Sequence, residues 1–318
     1  MFLALKYRVI ESVQSLFSLL NRFTRHKNNK ILIYDPKNYQ HDNSGALYEY
    51  LIKNGYNKKY EIVYACANHK ELKKHSYANV KYIGKSLSAF HFLTAGYVYY
   101  RANWMKIKPV KGQQVIQMWH GSPIKKDASD QPARYGVNPF FTGFLSASEH
   151  FDAIYSEVFR VPIERMIRCG HPRTDDLFKS SPNYDFGTYR KLIIWTPTFR
   201  KRQRQVYASS KQVTNEDTLV PIISTDKFAE VNKHLRLRDV KVVIKLHPLQ
   251  NLEHYNLTEL DHFILLSHSE FMARGMKLYP FMKQCDAMIT DYSSIYWDYL
   301  VLDRPIGFTE DDIEAYAN

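Results

Sequence analysis

Cys285–Leu302 reads CDAMITDYSSIYWDYLVL, and this stretch decides the fold class. Ala287–Thr290 is a short apolar run that suits a buried strand. Asp291-Tyr292-Ser293-Ser294 is a polar break, and Ile295 to Leu302 then carries apolar residues at helical spacing. A strand that stops, turns and starts a helix is one βα unit of a parallel sheet. Ser293 or Ser294 stands where a serine oxygen caps a helix by accepting from a first-turn N–H. Free N–H groups at the carboxyl end of a strand also make a natural seat for phosphate. An ordinary βα turn with a serine cap accounts for the same residues.

The alternation runs through the rest of the chain. Lys30 to Asp35 (KILIYD) reads as a buried strand, and Asp42-Asn43-Ser44-Gly45 opens a helix that Asn54-Gly55 ends. Strands follow at Glu61 to Ala65, Val80 to Ile83, Tyr97 to Tyr100 and Gln114 to Trp119, with a helix at Ser88 to Thr94. Phe144 to Ser148 and Arg165 to Cys169 are further strands around a helix from His150 to Phe159. Lys179 to Gly187 (KSSPNYDFG) has linker composition. The pattern then restarts with strands at Lys191 to Trp195, Val240 to Leu246 and Phe263 to Leu266, and helices at Thr225 to Leu235 and Tyr279 to Gln284. This predicts an α/β chain of two doubly wound halves with a cleft between them, 31–182 and 183–318, preceded by an amphipathic basic helix in 1–30.

Forty-four Lys and Arg against 32 Asp and Glu give a net charge of +12, which calls for an anionic partner. Charge alone does not choose among nucleic acid, anionic lipid and a phosphorylated substrate. The three cysteines, Cys66, Cys169 and Cys285, are widely spaced and read as reduced thiols with neither a disulfide framework nor metal-site spacing. No uncharged apolar run reaches the ~18 residues of a membrane span. The first twenty residues, interrupted by Lys6, Arg8 and Glu11, read as an amphipathic helix rather than a signal peptide. With Arg22, Arg25, Lys27 and Lys30 behind it, that helix suits either a membrane interface or the domain's own core. GxGxxG, Walker A, HExxH and paired CxxC patterns are missing, and no nucleic-acid motif accompanies the basic stretch Lys201 to Arg204.

Candidate chemistry gathers at strand ends. QVIQMW delivers His120 to a turn made by Gly121, Ser122 and Pro123. A histidine on that edge of an open α/β sheet can take a proton from a hydroxyl near neutral pH. VKVVIKL delivers His247 in the same way, with Pro248 stopping the strand. Arg200, after the strand ending at Trp195, can hold anionic oxygens in a bidentate manner. Arg200, His247, Asp291 and Ser293/Ser294 thus converge on strand ends of one half. A local backbone bond for His120 and a solvated loop charge for Arg200 are the bland counterparts.

Five blocks, QMWHGSPIKK, CGHPRTDDLF, IIWTPTFR, VVIKLHP and ITDYSSIYWDYLVLDRPIGF, resemble in order those of the bacterial CDP-glycerol glycerophosphotransferases, which build teichoic acids and related capsule polymers. The resemblance implies a GT-B-like fold, two Rossmann-like domains facing across a cleft, with the acceptor on the N-terminal side and the CDP donor on the C-terminal side. It implies transfer of glycerol phosphate or another polyol phosphate from CDP-glycerol or CDP-ribitol to a lipid-linked or polymer hydroxyl, with release of CMP. By that likeness His120 is the general base, and His247 lies near the donor pyrophosphate. Arg200, Asp291, Ser293 and Ser294 are its phosphate contacts, and Gly121 and Arg173 support the acceptor side. No cofactor and no metal ligand are implied. The setting is the cytoplasmic face of the bacterial membrane, with an anionic membrane surface as partner and no nucleic acid. The family's further helices beyond the region of Asp311-Asp312 are not matched in a sequence ending at Asn318, and Thr174 stands where Asn is common. A GT-B glycosyltransferase using a nucleotide sugar, and an inactive basic protein that binds membrane or polymer, are the competing readings.

Overall fold

The computed structural model describes residues 2–36, 42–74, 77–102, 104–122, 137–198, 220–246 and 260–310. The chain divides into two compact units, Met1–Asp175 and Asp176–Asn318. In the first unit come α1 (Phe2–Asn21), β1 (Lys27–Asp35), α2 (Asn43–Lys53), β2 (Glu61–Cys66), α3 (His69–Leu72) and β3 (Val80–Ile83). They are followed by α4 (Ser88–Thr94), β4 (Ala95–Tyr100), β5 (Gln114–Gln117), β6 (Gly143–Ser146), α5 (Glu149–Phe159) and β7 (Met166–Arg168). These seven strands form one sheet in the order β3-β2-β1-β4-β5-β6-β7, every pair parallel. The central strands are apolar without alternation because both faces are covered. In β1, Leu32 and Ile33 are adjacent and both fully buried.

The second unit holds β8 (Lys191–Thr196), α6 (Phe228–Leu237), β9 (Val240–Lys245), β10 (Phe263–Leu266) and α7 (His268–Ala273). After them come α8 (Leu278–Gln284), β11 (Ala287–Thr290), α9 (Ile295–Tyr299) and β12 (Ile306–Phe308). Its five-stranded parallel sheet has the order β10-β9-β8-β11-β12. Alternate residues of one strand face opposite sides, and here they feed two separate cores. Leu192, Ile194 and Val243 pack with Phe271, Phe281 and Tyr299 of α7, α8 and α9. Trp195, Val242 and Ile244 pack with Phe228 of α6. Helices on both faces make this a doubly wound unit, as the alternation predicts.

Each sheet reverses its strand order once, between β1 and β4 in the first unit and between β8 and β11 in the second. The turns leaving those strands diverge to opposite faces and open a crevice at the carboxyl ends. Three local expectations need correction. Ser294 is the N-cap of α9 but makes no side-chain capping bond. Its backbone is helical (φ −62°, ψ −6°) rather than extended, which turns the hydroxyl away from the first-turn N–H groups. α9 runs only to Tyr299 before tightening into a 3-10 turn over Leu300–Leu302. Finally, β5 stops at Gln117 because Trp119 takes a left-handed conformation, φ 55°. All three cysteines are free thiols, Cys66 and Cys285 buried and Cys169 exposed.

Candidate active site

The crevice of the first unit is built on one carboxylate. Asp42 caps α2, accepting from the Asn43 N–H at 2.8 Å through Oδ1. That oxygen also accepts from Arg173 Nη1 at 2.9 Å, while Oδ2 accepts from Arg101 Nε at 2.5 Å. Arg101 is the first residue past β4, and Asp42 lies in the turn between β1 and α2, so the pair spans the switch point. The trio carries two positive charges and one negative. Burial works against ionisation of Asp42, but the charges of Arg173 and Arg101 and the Asn43 N–H outweigh it, and its pKa is lowered from the ordinary 3.8.

The next strand end carries His120 on a peptide held at every carbonyl. Asn43 Nδ2 donates to the carbonyls of Met118 (3.3 Å) and Trp119 (2.9 Å). Arg173 Nη1 donates to that of His120 at 2.6 Å, and the Tyr155 hydroxyl to that of Gly121 at 2.9 Å. The Trp119 N–H donates to Gln117 Oε1 at 3.0 Å. Gly121 has φ 136°, a region open to glycine, whereas the left-handed Trp119 costs on the order of 1 kcal/mol or more. Side chains from α2, from α5 and from the turn after β7 therefore stabilise a strained backbone. The clamp is itself tied together, since the Arg173 N–H donates to Asn43 Oδ1 at 3.2 Å and Asn43 Nδ2 lies 3.4 Å from His171 Nδ1.

The His120 side chain is exposed and stacks on Trp119, ring centroids 4.2 Å apart. Protein atoms crowding the imidazole are the largest influence on it. Together with the Arg101 and Arg173 charges they outweigh the pull of Asp42 and lower its pKa to about 4. The imidazole is neutral at pH 7 and free to accept a proton.

In the second unit, Asp291 follows β11 and is buried. Its carboxylate accepts from the Thr198 N–H at 2.9 Å and from the Thr198 hydroxyl at 2.8 Å. Thr198 lies two residues beyond β8, so this contact also bridges a switch point, pinning the turn that leads toward Arg200. The Thr290 hydroxyl adds a bond to the Thr196 carbonyl at 2.8 Å. Asp291 thus receives protein donors that fix a turn. Ser293 and Ser294 follow it, half-buried. Arg200 and His247 lie outside the described residues.

The structure therefore brings His120, Gly121 and Arg173 together in one unit, and Asp291, Ser293 and Ser294 together in the other. Sequence reasoning missed Arg101, Asn43, Tyr155 and Thr198. Arg101 was open to the rule that selected His120, since it ends the strand YVYY. Among the described residues, no cluster of His, Cys, Asp and Glu could hold a metal ion.

Residues 16–318 match the family model described as CDP-Glycerol:Poly(glycerophosphate) glycerophosphotransferase. The chain is 26% identical to a teichoic acid poly(glycerol phosphate) polymerase of Bacillus spizizenii, an alignment spanning 99% of this chain and 82% of that protein. It is 25% identical to a teichoic acid glycerol-phosphate transferase of Staphylococcus aureus, again over 99% of this chain and 82% of the relative. Among solved structures, the wall teichoic acid polymerase TagF superposes with a TM-score of 0.67 at 19% identity, covering 99% of this chain and 78% of that one. A UDP-N-acetylglucosamine 2-epimerase from Listeria monocytogenes shares the fold more distantly, with a TM-score of 0.54 at 12% identity over 89% of this chain and 79% of that one.

Proposed function

The chain belongs to the CDP-glycerol:poly(glycerophosphate) glycerophosphotransferase family, and from that premise we propose how its residues divide the work. The enzyme transfers glycerol phosphate from CDP-glycerol to a hydroxyl of a teichoic-acid type acceptor. The acceptor oxygen attacks the phosphorus that bears the glycerol, and a new P–O bond forms. The pyrophosphate P–O bond breaks with its electron pair on the departing CMP, and the hydroxyl proton passes to His120. The observation that carries this role is the clamp on residues 118–121, which fixes a neutral, solvent-accessible imidazole at a strand end. The excess positive charge of Arg101, Asp42 and Arg173 suits the phosphodiester next to the acceptor hydroxyl.

On the donor side Arg200, His247, Ser293 and Ser294 take the pyrophosphate, neutralising charge as CMP leaves. Asp291 acts by holding Thr198, which lies two residues before Arg200 in sequence. Gly121 supplies the backbone freedom that lets His120 protrude. CDP-ribitol is the alternative donor, and a lipid-linked primer or a growing polymer the acceptor, at the cytoplasmic face of the bacterial membrane. Family membership places this reading ahead of a nucleotide-sugar transferase and of an inactive binding protein. The test is CMP release from a panel of CDP- and UDP-linked donors in the presence of a lipid-linked acceptor. CDP-glycerol or CDP-ribitol is expected to turn over, and His120→Ala to lose transfer while keeping the wild-type melting temperature. Turnover of UDP-sugars alone would overturn the donor assignment, and wild-type rates in His120→Ala would overturn the base.

A further inference from the structure

Neighbouring side chains of a strand point to opposite faces, so residues next to each other in sequence do not stack. Trp119 and His120, just past β5, do. Their ring centroids lie 4.2 Å apart with an interplanar angle of 30°. The left-handed backbone of Trp119, φ 55°, breaks the alternation and brings both rings to one side. Glycine takes that conformation without strain, yet the position carries the bulkiest of side chains. Asn43 Nδ2 on the Trp119 carbonyl and Gln117 Oε1 on its N–H hold the turn in place. A strained backbone restrained from both sides of the residue points to a task for the side chain it aims.

The indole is also gripped by its aromatic neighbours. Phe159 of α5 is buried and meets it edge-to-face, centroids 4.5 Å apart at 68°. Phe159 packs in turn against Trp104 at 6.4 Å, and Trp104 against the buried Phe141 at 5.2 Å. Trp119 is the half-buried member that carries this cluster out to the exposed imidazole.

A neutral imidazole over an indole gains only ordinary stacking. An imidazolium in the same place is a cation within ~6 Å of an indole centroid, the aromatic face that attracts cations best. The charged groups around the ring come from three elements. Arg101 beyond β4 and Arg173 beyond β7 disfavour imidazolium, and Asp42 before α2 favours it. α5 contributes Tyr155, whose hydroxyl donates to the Gly121 carbonyl, and Phe159. The two arginines thus hold the imidazole in its basic form before reaction, and the indole joins Asp42 in receiving the charge once the proton arrives.

We propose that Trp119 is a positioning residue for the transfer: it fixes the plane of the His120 ring and stabilises the imidazolium that forms as the acceptor O–H bond breaks. The attraction is absent until the proton moves, so it lowers the barrier rather than tightening substrate binding. Its role rests on the reading of His120 as the base.

Fluorinated tryptophan at position 119 of the full chain tests it, because fluorine withdraws density from the π face while nearly preserving shape and crowding. The His120 ring, assigned by comparison with His120→Ala, is titrated by proton NMR, and CMP release from CDP-glycerol is measured in parallel. The His120 pKa and kcat should both fall stepwise from tryptophan to its monofluorinated and then its trifluorinated form, while KM for the donor holds. Trp119→Leu should lower kcat roughly twofold to thirtyfold, the range of a lost cation–π contact, with Trp119→Phe in between. A titration and a kcat indifferent to fluorine would overturn the stabilising role, and a loss confined to KM would overturn positioning for the chemical step. Wild-type transfer by His120→Ala would instead remove the base, and with it the catalytic meaning of the stack, whatever the titration shows.

Discussion

His120 combines two properties that usually exclude each other. Its ring reaches solvent, as an acceptor hydroxyl requires, yet its pKa is pushed down to about 4 by crowding protein atoms and the charges of Arg101 and Arg173. A histidine at its ordinary value would lose its basic form below about pH 6.5. This one stays neutral well below that, so kcat/KM should remain level as pH falls and decline only near the lowered value. Arg101 is the charge that contributes most to the lowering after burial. Replacing it should therefore raise the histidine pKa, because a cation disfavouring imidazolium is gone. In Arg101→Gln the acidic limb of kcat/KM is expected to move upward by on the order of one pH unit. An unmoved limb would mean that His120 is not the titrating base.

At the scale of elements, the clamp couples pieces distant in sequence. Asn43 opens α2 yet holds carbonyls beyond β5, and Tyr155 belongs to α5. Removing the Asn43 amide leaves the Met118 and Trp119 carbonyls without this donor and frees a left-handed turn to relax. Asn43→Ala should cost about 2 kcal/mol of stability and lower kcat by roughly tenfold to a hundredfold through misplacement of His120. KM for the CDP donor, assigned above by proposal to the other unit, should hardly change. Urea unfolding and steady-state kinetics separate the two effects, and a change in KM alone would count against a positioning role.

Much of this scale was legible in the sequence. Apolar strands, Gly and Pro breaks and helical spacing follow from local chemistry, and they placed His120 and Asp291 at strand ends. The Asp42–Arg101 pair was not legible. Those residues are 59 apart in sequence and meet only because the sheet sets β1 beside β4, an order no local pattern encodes. The serine cap on α9 failed for the converse reason, since the polar residues suited a cap and the backbone took a tighter path.

For the molecule as a whole, two parallel sheets of different size repeat one device. In each, an aspartate beyond a central strand reaches across the reversal of strand order and fixes the neighbouring turn. Asp42 takes Arg101 in the first unit, and Asp291 takes Thr198 in the second. The repetition follows from topology, because the turn on each side of a reversal leaves toward a different face and needs a tie to stay near its neighbour. The same logic explains why the five blocks that carried the family resemblance fall at strand ends. Strand interiors are filled by interchangeable apolar residues, while their carboxyl ends carry the side chains that do particular work.

The thiols offer a practical handle on this arrangement. Burial and the charge of Asp35 push Cys66 up to about 12, and burial pushes Cys285 well above its ordinary value, so neither presents a thiolate to reagents. Desolvation and the charge of Asp175 raise the Cys169 thiol too, but it alone of the three is exposed to reagents, and it directly precedes the Gly170-His171 turn that leads to Arg173. A maleimide fluorophore should therefore couple with one equivalent in the native protein and with three after denaturation, as intact-mass spectrometry would count. The single dye would stand beside the residues that grip His120, without any engineered cysteine. Its emission would then report on the surroundings of that clamp in the wild-type protein.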